Sequence, residues 1–270
     1  MPELERAGLA LHYEVHGKGR PLIALHGFTG SGADFLPLAR SLRRETMTVC
    51  LDLPGHGRSG VPEDPARCSL AETAADVLAL ADELGVTAFD LLGYSMGGRA
   101  ALRLALGHPQ RVRRLVLESA SPGIPSDADR LARLESDEGL ARDVEERGVT
   151  AFLDDWLAMD LFRTQSTLPD ERRAAMRAQR ALNTAAGLAA SLRGAGAGQD
   201  PAVWDELGRI RQRVLLIGGM EDEKYGAILT RMAEVLPNAR LVRVPRVGHN
   251  VHLERPRLYA DYVGEFLRQS

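Results

Sequence analysis

The sequence predicts an α/β protein: a mostly parallel central sheet flanked by helices, with a helical cap inserted into it. Three observations carry that expectation. Short apolar runs ending at Gly, Pro or polar residues alternate with longer stretches of helical period. The alternation lapses once, between about residues 122 and 200, where Arg, Asp, Glu and Ala dominate and helix-like periods follow one another without strands. The length of 270 residues suits one sheet carrying an insertion. The expected organisation is a first part of the core over 1–121, a cap over 122–200 and a second part of the core over 201–270. The glycines of Gly194-Ala195-Gly196-Ala197-Gly198 form a flexible return from the cap.

In chain order, residues 9–15, 21–25, 48–51, 88–92, 114–118, 213–217 and 240–244 read as strands. Residues 71–84, 97–106, 225–236 and 256–268 read as helices. A composition of 44% apolar and 26% charged residues, with a formal net charge of −3, describes an ordinary globule without a general field for nucleic acid or membrane. Cys50 and Cys68 are too few for a disulfide framework and lack metal-like spacing, which fits a reducing compartment. The start has no basic flank followed by an apolar segment, and no window approaches 18 apolar residues, so a cytoplasmic location is expected. The expected assembly is a monomer or small homo-oligomer.

The expected strand at 88–92 runs into Gly93-Tyr94-Ser95-Met96-Gly97-Gly98 and then a helix, the setting that a G-x-S-x-G nucleophile turn requires. Ser95 then stands at a helix N-terminus, where the dipole and free N–H groups favour developing negative charge. The Met96 N–H supplies half of an expected oxyanion hole. The loop His26-Gly27-Phe28-Thr29-Gly30 supplies the other half through the Phe28 N–H. A serine hydroxyl needs a base, and downstream strand ends offer Asp222 as acid and His249 as base, in the order Ser, acid, His. Glu221 is the rival acid. His252 is the rival histidine, with a surface or supporting role expected, and His26 borders the pocket. No His, Asp or Cys cluster has metal-ligand spacing, so neither a metal nor a cofactor is expected.

Arg99 lies four residues after Ser95 and shares its helical face. A buried cation needs a partner, either an anionic substrate or a carboxylate such as Glu118 or Asp155. The cap adds Arg130, Arg133, Arg163, Arg172, Arg173, Arg177, Arg180 and Arg193, most of them expected on solvated surface and a few facing the pocket. Trp156 and Phe162 are expected in the cap core or as an apolar wall.

Six segments together resemble one family. They are His26-Gly27-Phe28, Asp52-Leu53-Pro54-Gly55-His56-Gly57, Gly93 to Arg99, Glu118-Ser119-Ala120-Ser121-Pro122-Gly123, Ser191-Leu192-Arg193-Gly194 and Val247-Gly248-His249. The resemblance is to the 2-succinyl-6-hydroxy-2,4-cyclohexadiene-1-carboxylate synthases of menaquinone (vitamin K2) biosynthesis, within the α/β-hydrolase fold, and it spans nearly the whole chain. It implies a bacterial, cofactor-independent lyase that removes pyruvate from a polyanionic cyclohexene carboxylate by 2,5-elimination. It also implies a triad of Ser95, Asp222 and His249 and substrate contacts from Tyr94, Arg99, Trp156, Arg130 and Arg180, with Arg133 an alternative to Arg130. The competing reading is a Ser-His-Asp hydrolase of an ester or carbon–carbon bond in a carboxylate-bearing substrate.

Overall fold

The computed structural model describes residues 3–269. Eight strands form one sheet: β1 (Glu3–Arg6), β2 (Leu9–His16), β3 (Arg20–Leu25), β4 (Thr46–Leu51), β5 (Phe89–Tyr94), β6 (Val112–Glu118), β7 (Arg213–Gly219) and β8 (Ala239–Val244). Their spatial order is β1-β2-β4-β3-β5-β6-β7-β8. The first two pairings are antiparallel and every pairing from β4 to β8 is parallel. All seven expected strands are present. Sequence reading missed β1, whose Glu-Leu-Glu-Arg offers one apolar residue, and α1 (Leu36–Leu42), which is too short for a clear period.

The remaining core helices are α2 (Leu70–Glu83), α3 (Met96–Gly107), α7 (Glu223–Val235), the short α8 (Val251–Glu254) and α9 (Pro256–Arg268). Alternation along each strand feeds two cores, because successive side chains leave opposite faces of the sheet. Ile23, Leu25, Leu91, Val214 and Leu216 join one cluster with Val77, Leu80, Leu102 and Leu229 of the helices α2, α3 and α7. Leu22, Ala24, Leu92, Leu215 and Ile217 join the other with Leu38 of α1 and Tyr259 and Phe266 of α9. Central strands apolar on both faces are what a doubly covered parallel sheet demands.

Between β6 and β7 lie α4 (Asp127–Ala158), α5 (Asp170–Arg180) and α6 (Ala185–Ala195). The long α4 breaks at Gly148, whose φ of +78° leaves the helical region. These helices have their own apolar cluster, built from Ala141, Val144, Phe152 and Leu153 of α4 and Leu188, Ala189 and Leu192 of α6. Phe28, from a loop of the sheet, packs against that cluster and ties it to the strand ends. None of the helices among the described residues is long and apolar enough to cross a membrane.

Candidate active site

The parallel strands present their C-terminal ends on one rim, where this topology usually places ligands. β5 ends at Tyr94 and α3 starts at Met96, so Ser95 alone makes the turn, with φ +50° and ψ −107°. That conformation costs a non-glycine residue on the order of 1–3 kcal/mol and persists because neighbours hold it. The Ser95 N–H donates to the Glu118 carbonyl at 2.9 Å, and the Gly97 N–H to the His26 carbonyl at 3.1 Å. A Cβ on Gly97 would collide with the carbonyls of Leu25 and His26, so only glycine lets α3 start this close to the end of β3.

His249 and Asp222 arrive from the loops after β8 and β7. The His249 Nε2 is 3.1 Å from the Ser95 Oγ, and its Nδ1 is 2.7 Å from the Asp222 Oδ2. Asp222 is also the N-cap of α7, where its Oδ1 accepts the Tyr225 N–H at 3.1 Å, so one carboxylate both starts a helix and faces the imidazole. With Nδ1–H donating to Asp222, the other ring nitrogen is free to accept from Ser95. The rival acid Glu221 is exposed and pairs with Arg163 at 3.4 Å.

The Phe28 and Met96 N–H groups donate to no backbone carbonyl among the described residues. The loop bearing Phe28 is braced by His26, whose Nε2 accepts the Leu53 N–H at 3.0 Å and whose Nδ1–H donates to the Gly27 carbonyl at 2.7 Å. Burial lowers the pKa of His26, which keeps this neutral tautomer in place. His26 therefore lies beneath the pocket and supports it, instead of bordering it.

A cavity of about 660 Å³ opens beside Ser95 and His249. Tyr94, Phe28, Met96, Arg99 and Trp156 line it. Trp156 stacks on Phe152 at 5.8 Å and meets Phe28 edge-on at 5.1 Å, so it belongs to both the helical core and the wall. Phe162 also lines the cavity, 6.1 Å from His249. Arg99 pairs with neither of the carboxylates considered from sequence. Its Nη groups donate to the carbonyls of Ala195 at 2.5 Å and Gly196 at 3.0 Å, while Glu118 holds His252 and Asp155 holds Arg147. Burial pulls the Arg99 guanidinium below its usual pKa, and the charge of Arg133 adds to that pull.

Two of the arginines expected to contact substrate lie outside the cavity wall. Arg130 does not line the cavity: its guanidinium reaches the Gly198 carbonyl at 3.4 Å and Asp127 at 3.3 Å. One helical turn later, Arg133 does line it, with its Nε on Asp137 at 2.8 Å. Both arginines sit in the same helical period, which is why sequence alone leaves the two as alternatives. Arg180 is buried outside the cavity wall, bonded to the Met176 carbonyl at 3.4 Å, close enough for its charge to act on Tyr94. Most other arginines of the helical segment pair with carboxylates, including Arg177 with Asp154 and Arg193 with Glu138 and Glu145.

Sequence reasoning missed Tyr225 altogether and assigned Glu118 a role only as a partner of Arg99. Glu118 is fully buried; its carboxylate accepts the His252 N–H at 3.1 Å and faces the His252 Nδ1 at 2.8 Å, while its carbonyl holds Ser95. It thus joins the serine turn to the histidine loop. His252 is correspondingly buried, not at the surface. A charge closing the apolar run Leu115-Val116-Leu117 was the available signal. Tyr225 lines the cavity with its ring centroid 4.4 Å from that of His249. No group of three or more His, Cys, Asp or Glu suited to a metal occurs among the described residues.

The model of the family described as the alpha/beta hydrolase fold matches residues 20–256. A putative 2-succinyl-6-hydroxy-2,4-cyclohexadiene-1-carboxylate synthase of Bacillus subtilis is 38% identical, covering 91% of this chain and 89% of the relative. The synthase of that name from Pectobacterium atrosepticum is 30% identical over 94% of this chain and 97% of its own. The solved structure of MenH from S. aureus superposes with a TM-score of 0.91 at 30% identity, covering 95% of this chain and 98% of that one. The chain is an enzyme of the alpha/beta hydrolase fold and belongs to the 2-succinyl-6-hydroxy-2,4-cyclohexadiene-1-carboxylate synthase family.

Proposed function

We propose that this enzyme is a lyase that eliminates pyruvate from 2-succinyl-5-enolpyruvyl-6-hydroxy-3-cyclohexene-1-carboxylate, giving 2-succinyl-6-hydroxy-2,4-cyclohexadiene-1-carboxylate. The observation that carries this reading is Arg99: a half-buried guanidinium in the same cavity as Ser95, bonded to two carbonyls and to no carboxylate. Such a cation is costly without an anion, and the substrate supplies carboxylates. Arg133 and Trp156 complete the binding wall, and residues 122–200 act as the cap over the rim.

In the reaction Ser95 passes its hydroxyl proton to His249, and Asp222 stabilises the imidazolium. The Ser95 oxygen takes the ring proton next to the succinyl carbonyl. The electron pair of that C–H bond forms a new ring double bond, the existing double bond shifts by one position, and the carbon–oxygen bond to the enolpyruvyl group breaks. The departing enolate takes up the proton held on His249 to become pyruvate, which returns His249 to its neutral form, so the atoms balance without water or a cofactor. The Phe28 and Met96 amides stabilise the charge that develops on the succinyl carbonyl oxygen. The enzyme is placed in the cytoplasm on this reading.

The test is to add purified enzyme to the enolpyruvyl substrate and follow pyruvate together with diene absorbance. Equal release of both is expected. Burst hydrolysis of activated aryl esters with no pyruvate would instead establish the hydrolase.

A further inference from the structure

Tyr225 touches both ends of the cavity's chemistry. As the third residue of α7 it donates its N–H to Asp222, and its ring stands edge-on to His249. Its hydroxyl has no hydrogen-bond partner among the described residues, and its side chain lines the cavity that also holds Arg99 and Arg133. Burial raises the phenol pKa, with Arg99 and then Arg133 opposing that rise, so the group is a neutral donor that lies within the fields of both guanidinium groups.

The donors around it are only partly used. Arg133 commits its Nε to Asp137, and Arg99 commits two of its five N–H groups to carbonyls. Helices α3, α4 and α7 therefore each bring a donor to one end of the cavity. The carboxylates of Asp137 and Asp200 act on Arg99 from the same end, and among the described residues only Asp137 makes an ion pair there, with the Arg133 Nε.

We infer that Tyr225 is a specificity-determining residue: its hydroxyl donates to a substrate carboxylate gripped by Arg99 and Arg133, while its ring keeps the edge of His249 in place. The inference rests on the proposed polyanionic substrate. A site built to hydrogen-bond a carboxylate discriminates against analogues that lack it, because its buried donors are then left unpaired.

Tyr225→Phe keeps the ring and removes only the hydroxyl. The experiment compares wild type and Tyr225→Phe in steady-state pyruvate release and in calorimetric binding of succinate, a dicarboxylate probe. A roughly tenfold rise in KM and an equal loss of succinate affinity are expected, with kcat within about twofold. Unchanged KM and unchanged succinate affinity overturn the inference, as does a fall in kcat at constant KM or a wild type that does not bind succinate. Should succinate affinity fall as expected while neither protein releases pyruvate, the inference stands and the proposed reaction fails.

Discussion

The strand-end loops and the helical segment between β6 and β7 solve different problems with polar residues. In the loops, the groups around the serine turn have fixed partners: Ser95 on Glu118, His249 on Asp222, Asp222 on Tyr225, His26 on Leu53. In the helices, arginines mostly meet carboxylates on partly exposed surface, as Arg177 does Asp154 and Arg173 does Asp170. Proton transfer needs partners held within hydrogen-bond reach, which strand register and short loops provide. Recognition of a carboxylate tolerates rotamer freedom, and surface ion pairs of this kind add little to stability. On the proposed reaction, the reacting atoms therefore belong to the strand-end loops and the charge recognition spans both regions.

The sharpest way to break that division is at Ser95. Ser95→Ala removes the proposed proton acceptor and leaves every arginine in place, so kcat should fall by roughly 10²–10⁴ while KM stays near wild type. Rapid-quench measurement of pyruvate under saturating substrate checks this, and turnover within tenfold of wild type sinks the assignment. The opposite pattern is expected at the arginines. Arg99→Met should raise KM by about 10- to 100-fold and Arg133→Met by about tenfold, each with a smaller change in kcat. Arg99→Met also loses the bonds to Ala195 and Gly196, and Arg133→Met leaves the buried Asp137 carboxylate without its ion-pair partner, so the thermal midpoint of each should drop. A fall in kcat at unchanged KM for either variant would erase the proposed separation of roles.

The same division explains what was legible in the sequence. Seven strands were readable because apolar runs such as Leu22-Ile23-Ala24-Leu25 are required on a sheet covered on both faces. The turn at Ser95 was readable because glycine is required where backbones approach, and Asp222 and His249 because each follows a strand end. Arg133 could not be separated from Arg130 by period alone, since positions one turn apart share a face and only the break at Gly148 and the packing of α4 on α6 set which end meets the cavity. Tyr225 escaped notice because its role depends on the orientation of α7 relative to His249, a tertiary relation with no local signature.

The two regions meet at a joint that pH should loosen, with the smallest effect at neutrality. Gly55 and Gly187 of α6 press backbone to backbone, the Gly57 N–H donates to Asn183 at 2.8 Å, and Asn183 donates to the Thr29 carbonyl at 2.8 Å. His56 is buried within this turn, with Nδ1–H on the Pro54 carbonyl at 3.1 Å and a buried Nε2 that has no partner among the described residues. Burial, with His26 nearby, lowers its pKa from 6.5 to about 3. Above about pH 6.5 the ring is neutral both folded and unfolded, and contributes no pH dependence. Between 6.5 and 3 the unfolded chain binds the proton and the folded one does not, so stability falls as pH falls, by up to ~1.4 kcal/mol per pH unit. His56→Asn keeps a donor for Pro54 and cannot titrate. In urea unfolding from pH 7.5 to 4.5 it should reduce the acid slope by about one proton while the slope from His26 persists. An unchanged slope would mean that the joint is not where acid first weakens the fold.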